Sequence, residues 1–171
     1  MEQIQRDFSE QCGEELCYTP INRQIKWFLK YIRLDLLILA EEQRMYVWGL
    51  VQRMNIIDSI MIGIPIPEIH LWKITDSNRL YISDGQQRLI SIWSFYNNLF
   101  HWEKKSTGEK VFYNEIPKKY KNDTNTRIMN PLEKNKFENF NLQTKELEPA
   151  SKKIRALYFE RINCGTKFKQ A

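Results

Sequence analysis

Apolar residues along this chain change their spacing several times, and each change marks an element. Ile21, Ile25, Phe28, Leu29 and Ile32 recur at helical spacing opposite Arg23, Lys26, Lys30 and Arg33, and Thr19-Pro20 supplies an N-cap and a first helical residue. Leu34 to Glu41 reads as a strand. It leads through Gln43-Arg44-Met45-Tyr46-Val47-Trp48 into a helix carrying Val51, Ile56, Ile57, Ile60 and Met61, which stops at Gly63 with Pro65 and Pro67 just beyond. Residues 68–74 and 79–83 form a hairpin pattern around Thr75-Asp76-Ser77-Asn78. A helix then runs to about Phe100, with Leu89, Ile92, Trp93 and Tyr96 on its apolar side. Beyond it the pattern loosens. Trp102 and Val111-Phe112-Tyr113 flank a turn at Ser106-Thr107-Gly108, residues 117–130 read as loop, and 137–142 as a last short strand. Residues 147–163 read as a final helix with Pro149 in its first turn. The sum predicts an α+β fold: an arm over residues 1–18 and one domain over 19–171.

The change of period is sharpest at Asp84-Gly85-Gln86-Gln87-Arg88, where the strand Leu80-Tyr81-Ile82 ends and a helix begins. Such a turn brings free backbone N–H groups, a carboxylate and a guanidinium to one point, and helix N-termini attract anions through those N–H groups and the dipole. Phosphate is the expected ligand. A bare Asp-Gly would do no more than cap a helix and make a turn, but a cap needs neither the two glutamines nor the arginine. Two further segments pair arginine with amide or acid groups: Gln43-Arg44, and Phe159-Glu160-Arg161-Ile162-Asn163-Cys164-Gly165. Guanidinium matches phosphate geometry, amides can hold a ribose, a base edge or water, and a carboxylate beside them can bind magnesium or polarise water.

At 171 residues and 42% hydrophobic, the chain is large enough for one real core. No stretch reaches the roughly 20 apolar residues of a membrane span. Glu2, Asp7 and Glu10 take the place of an apolar signal region, so an intracellular protein is expected, cytoplasmic or carried in a virion. Cys12, Cys17 and Cys164 lack CxxC spacing, which argues against a disulfide framework and against zinc. Charge is uneven. Residues 1–85 hold 9 Lys+Arg against 12 Asp+Glu, whereas residues 86–171 hold 17 against 9. The basic clusters, Lys118-Lys119-Lys121 above all, fit either a polyanion partner such as DNA or a solvated lysine-rich surface.

Taken together, these motifs resemble the N-terminal domain of GmrSD-type restriction endonucleases, in the ParB/sulfiredoxin-like superfamily. The features run in family order: Gln-Arg-x-Tyr-Val-Trp at 43–48, an Ile-rich helix ending in Gly63-Ile64-Pro65-Ile66-Pro67, the hairpin into Asp-Gly-Gln-Gln-Arg at 84–88, and Phe-Glu-Arg-Ile-Asn at 159–163. The resemblance spans roughly residues 20–170. It implies a compact α+β domain on a small mixed sheet that binds and hydrolyses a nucleoside triphosphate with Mg2+, in the service of cutting or nicking DNA. Carried over, Asp84, Gln87 and Arg88 are the catalytic candidates, with Asp84 as metal ligand. Arg44, Gly85, Gln86, Arg161 and Asn163 then complete the nucleotide site. The departures are Ser83 for an aliphatic residue, Met45 for a proline, and a shorter glycine-rich segment at 163–168. The chain ends at Ala171 without the family's C-terminal HNH-type segment, so the expectation is a protein acting through the nucleotide-type domain alone.

Two function classes follow. One is a Mg2+-dependent NTPase or nicking enzyme in DNA processing. The other is a catalytically inactive DNA-binding or assembly module that keeps the fold, with self-association or a place in a larger assembly left open. The remaining conspicuous residues read as structural: Trp27, Trp48, Trp72 and Trp93 as core, Trp102 as core rather than base-stacking, His70 as a core-edge residue, and His101 and Cys164 as side chains with no catalytic partner in sequence.

Overall fold

The structure, a computed structural model, describes residues 14–39 and 48–167, with side chains through residue 163. Its first strand, β1 (Tyr18–Gln24), stands where the apolar pattern predicts the start of a helix. Pairing decides the difference. β1 runs antiparallel to β8 (Asn141–Leu147) over seven residue pairs, from Tyr18 opposite Leu147 to Gln24 opposite Asn141. Pro20 is an edge-strand proline, not a helix starter, and such an edge tolerates a missing N–H. Helix α1 (Ile25–Arg33) then buries Ile25, Phe28 and Leu29.

The remaining elements of the first half match the sequence pattern. Strand β2 (Leu37–Leu39) is followed by α2 (Leu50–Ile62), closed by Gly63 in the left-handed conformation at φ 83°. The hairpin is β3 (Ile69–Lys73) and β4 (Leu80–Asp84), and α3 (Gln86–Tyr96) leaves directly from its second strand. A single helix across residues 80–100 is therefore ruled out. Five strands form one mixed sheet in the order β1-β8-β3-β4-β2, with β8–β3 and β4–β2 parallel.

A second sheet consists of β5 (Trp102–Lys104), β6 (Glu109–Phe112) and β7 (Thr126–Ile128). Trp102 is buried and its Nε1 donates to the buried Asp58 of α2 at 3.0 Å, which fixes it as a core residue. Phe95 packs against both Phe100 and Phe137, joining α3 to the helix α4 (Pro131–Glu138).

Three expectations in the second half move, the first being the loop over residues 117–130, within which Thr126–Ile128 pairs with β6 as β7. The last strand, expected at 137–142, lies at Asn141–Leu147, and residues 131–138 are helical. Asn130 accepts from the Glu133 N–H while the Glu133 carboxylate accepts from the Asn130 N–H, and Pro131 follows the cap. The last helix, α5 (Lys152–Lys167), begins after Pro149 and not around it. Leu147 belongs to β8, and the Ser151 hydroxyl accepts from the Ile154 N–H at the true helix start.

Candidate functional site

Asp84 is the last residue of β4 and sits opposite His70 of β3, at a point where the hairpin register shifts between His70 and Leu71. The turn that follows depends on glycine. Gly85 has φ 96°, and a Cβ there would lie 2.4 Å from Ile69 Cδ1 and 3.4 Å from Ile69 Cα. That closeness lets α3 start immediately above the sheet, with Gln86, Gln87 and Arg88 in its first turn.

Arg88 turns back. Its Nη2 donates to the Glu68 carbonyl at 2.8 Å and to Asp84 Oδ2 at 3.2 Å, so one guanidinium ties the start of β3, the end of β4 and α3 together. Asp84 keeps the more exposed side of this pair: its side chain is 39% exposed against 14% for Arg88. Gln86 is buried, and among the described residues its Oε1 has no hydrogen-bond partner, nor does the buried Nε of Arg88. Gln87 points elsewhere; its Oε1 accepts from the Trp48 N–H at 3.2 Å and so anchors the end of the 43–48 segment to the same helical turn.

A second row of groups adjoins this one. Lys145 of β8 meets the Glu68 carboxylate at 2.9 Å, Glu68 Oε2 faces His70 Nε2 at 3.3 Å, and His70 Nδ1 faces the Tyr158 hydroxyl of α5 at 2.6 Å. Burial pushes the His70 imidazole below its ordinary pKa, only partly opposed by Asp84 and Glu68. The ring is therefore neutral at pH 7, and its contact with Glu68 is a hydrogen bond rather than an ion pair. Burial raises the Tyr158 phenol, with Asp84 and Glu68 adding to it, so the hydroxyl keeps its proton. Lys145 holds the Glu68 carboxyl below the usual range. One proton arrangement satisfies every partner: Tyr158 donates to Nδ1, and Nε2–H donates to Glu68.

The residues predicted from sequence thus divide. Asp84, Gly85, Gln86 and Arg88 come together at the turn, and Gln87 braces it. Arg44 lies outside the described residues. Arg161 is exposed on α5, and the Asn163 amide donates back to the Phe159 carbonyl at 2.8 Å. Helix α5 meets β3 beside the turn through the Tyr158–His70 contact. Lys118, Lys119 and Lys121 are exposed on or beside a 3-10 turn next to the second sheet, where Lys119 lies 4.9 Å from the Tyr120 ring centre. His70, Tyr158, Glu68 and Lys145 were not singled out by the sequence pattern as site residues. Among the described residues no three His, Cys, Asp or Glu side chains cluster to hold a metal ion.

The model of the GmrSD restriction endonuclease N-terminal domain matches residues 25–169, from the first residue of α1 to beyond the end of α5. The chain belongs to the GmrSD N-terminal domain family. No curated protein and no solved structure matches it. The match to the GmrSD domain encloses the hairpin, the Asp84 turn and Tyr158, so both rows of polar groups are features of that domain and not of an appended segment. No helix among the described residues of this GmrSD-type chain is long and apolar enough to cross a membrane.

Proposed function

We propose that this chain is a nucleotide-binding module of a DNA-processing system, and that a nucleoside triphosphate binds and is hydrolysed at the Asp84–Arg88 turn. The observation that carries the reading is the state of Asp84. It stands at a strand end above the first turn of α3, held through one oxygen by Arg88, with its partly exposed carboxylate making no other hydrogen bond among the described residues. The N–H groups of that turn favour anions, and the buried Gln86 Oε1 and Arg88 Nε, without a hydrogen-bond partner among the described residues, add hydrogen-bonding capacity beside it. Hydrolysis moves water onto the terminal phosphorus and releases inorganic phosphate; Asp84 is the group suited to orient that water.

Magnesium fits this donor set only as a passenger of the nucleotide: it is commonly held by one or two carboxylates together with substrate phosphates, and Asp84 supplies one. Arg44, Arg161 and Asn163 belong to the same proposal as groups that would approach the nucleotide from the 43–48 segment and from α5. DNA enters through the family, a restriction endonuclease domain, and the motif order suggests with it a ParB/sulfiredoxin-like relationship.

One observation favours a second reading, a binding module without catalysis. Arg88 is committed inward to the Glu68 carbonyl and Asp84, and Glu68 is already paired with Lys145. A panel of nucleoside triphosphates, read by melting temperature and by phosphate release with and without magnesium, decides between them. Stabilisation with phosphate release supports the enzyme; stabilisation without release supports the binding module; neither effect removes the nucleotide reading.

A further inference from the structure

The face of α1 turned away from the core carries a charge pattern that the Asp84 turn does not use. Ile25, Phe28 and Leu29 anchor the helix, each no more than 3% exposed, while Lys26, Lys30 and Arg33 project from the opposite side. These cations border an open groove of about 650 Å³, completed by the amides of Asn22, Gln24 and Asn141 and by Arg23 and Trp27; among the described residues no carboxylate lines it.

Arg23 is not spare, because its Nε and Nη2 both donate to the buried Glu146 carboxylate, at 3.0 and 2.6 Å. Among the described residues the partner of Lys26 is a neutral one, the Asn139 side-chain oxygen at 2.6 Å. Among the described residues Lys30 and Arg33 form no side-chain hydrogen bond or ion pair. The helix dipole accounts for cations in the last turn, but Lys26 lies in the first turn, where a positive charge is unfavourable. Lys26 and Lys30 also repel each other at four-residue spacing. Helix stability therefore does not explain the stripe.

We infer that this groove binds the phosphodiester backbone of DNA. From Lys26 to Arg33 the helix rises about 10 Å, the axial length of about three phosphates on one strand of duplex DNA. Amides between the cations suit phosphate oxygens. Trp27 is not a base-stacking platform, since Tyr31 stacks on it at 3.9 Å and the Arg23 guanidinium lies 4.4 Å from its ring centre. The contacts are to backbone, not to base edges.

The inference rests on the reading of the chain as a DNA-processing domain, and the test separates the two. Binding of the full chain to a fluorescent duplex is followed by anisotropy across a salt series, for the wild type and for the double variant Lys30→Gln/Arg33→Gln. Both positions are exposed, and an unchanged melting temperature confirms that the variant is folded. The expected result is an affinity loss of roughly tenfold or more at low salt and a salt slope shallower by roughly 1.8, about 0.9 for each lost phosphate contact. A folded variant that binds with the wild-type affinity and slope overturns the groove and leaves the DNA reading intact. A wild type that binds no duplex at low salt overturns both.

Discussion

Tyr158 donates its hydroxyl to His70 Nδ1 across 2.6 Å, a bond between helix α5 and strand β3 that spans 88 positions of sequence. Trp72 packs edge-on against the same tyrosine at 5.4 Å, so the ring is seated as well as bonded. Tyr158→Phe keeps the packing and removes the donor. The buried Nδ1 then lacks a partner, with an expected loss of about 1–3 kcal/mol in urea denaturation. Because the hydroxyl stabilises the neutral ring, its removal also moves the His70 pKa up toward the ordinary value, which an NMR titration of the ring reads directly.

His70 ties stability to pH in a defined direction. Its folded pKa is depressed by burial below the ordinary 6.5, so in the window from that value downward the unfolded chain binds more protons than the folded one. Stability from this residue is complete above the unfolded pKa and is lost as pH falls through the folded pKa. His101 is displaced the same way by burial. Thermal melts between pH 7.5 and 5 should therefore fall with acidification, and His70→Gln should remove only part of the dependence. A flat profile in the wild type contradicts the assignment of a buried neutral ring.

Two left-handed glycines separate backbone strain from steric overlap. Gly63 closes α2 with nothing within 4 Å of an added Cβ, whereas Gly85 would place that atom 2.4 Å from Ile69 Cδ1. Gly63→Ala should cost about 1–2 kcal/mol, the left-handed penalty alone. Gly85→Ala should cost that and roughly 1–3 kcal/mol more for forcing the packed Ile69 aside. Equal destabilisation of the two would mean that Ile69 yields freely.

The hairpin, the Asp84 turn and the Ile-rich helix were legible because their signals are local: a period change, a Gly stop, a polar turn between alternating runs. β1 was not, since Ile21 and Ile25 share helical spacing and only pairing with β8, more than 100 residues away, makes 18–24 a strand. The α4 helix carries little apolar periodicity, with Phe137 its one buried residue; its Asn130-Pro131-x-Glu133 cap was the readable signal. His70 illustrates a deeper limit. The pairs Lys73–Leu80 and Leu71–Ile82 extrapolate to His70 opposite Ser83, and the register shift places it opposite Asp84 instead. Nothing local in the sequence announces that shift. Tyr158 stands one residue before the Phe159-Glu160-Arg161 segment, and its bond to His70 joins elements 88 positions apart, a contact that no local pattern announces.

Lys118, Lys119 and Lys121 are a second exposed basic surface, separate in sequence and sheet from the α1 groove. If they contact DNA, replacing all three by Glu should weaken duplex binding at low salt and flatten its salt dependence. The melting temperature should change little, since exposed charges contribute only about 0–1 kcal/mol. Unchanged binding would leave them as solvated surface.

Asp84→Asn addresses the proposed chemistry most directly. The replacement is nearly isosteric, and the ion pair that it weakens, between Asp84 and Arg88, has a partly exposed carboxylate partner, so the fold should lose only about 1 kcal/mol of the roughly 5–15 kcal/mol typical of a domain. Loss of a carboxylate that orients water or meets a nucleotide-borne cation should instead lower phosphate release by about a hundredfold or more. Arg88 behaves differently. Its bonds to the Glu68 carbonyl and to Asp84 make it a brace, so Arg88→Ala should reduce stability by about 1–3 kcal/mol as well as nucleotide affinity. The informative comparison is therefore between the two variants at equal fractions folded. An Asp84→Asn protein that is as stable as the wild type, binds nucleotide and releases no phosphate would assign the chemistry to Asp84. An Asp84→Asn protein with undiminished release would move the chemistry away from this turn.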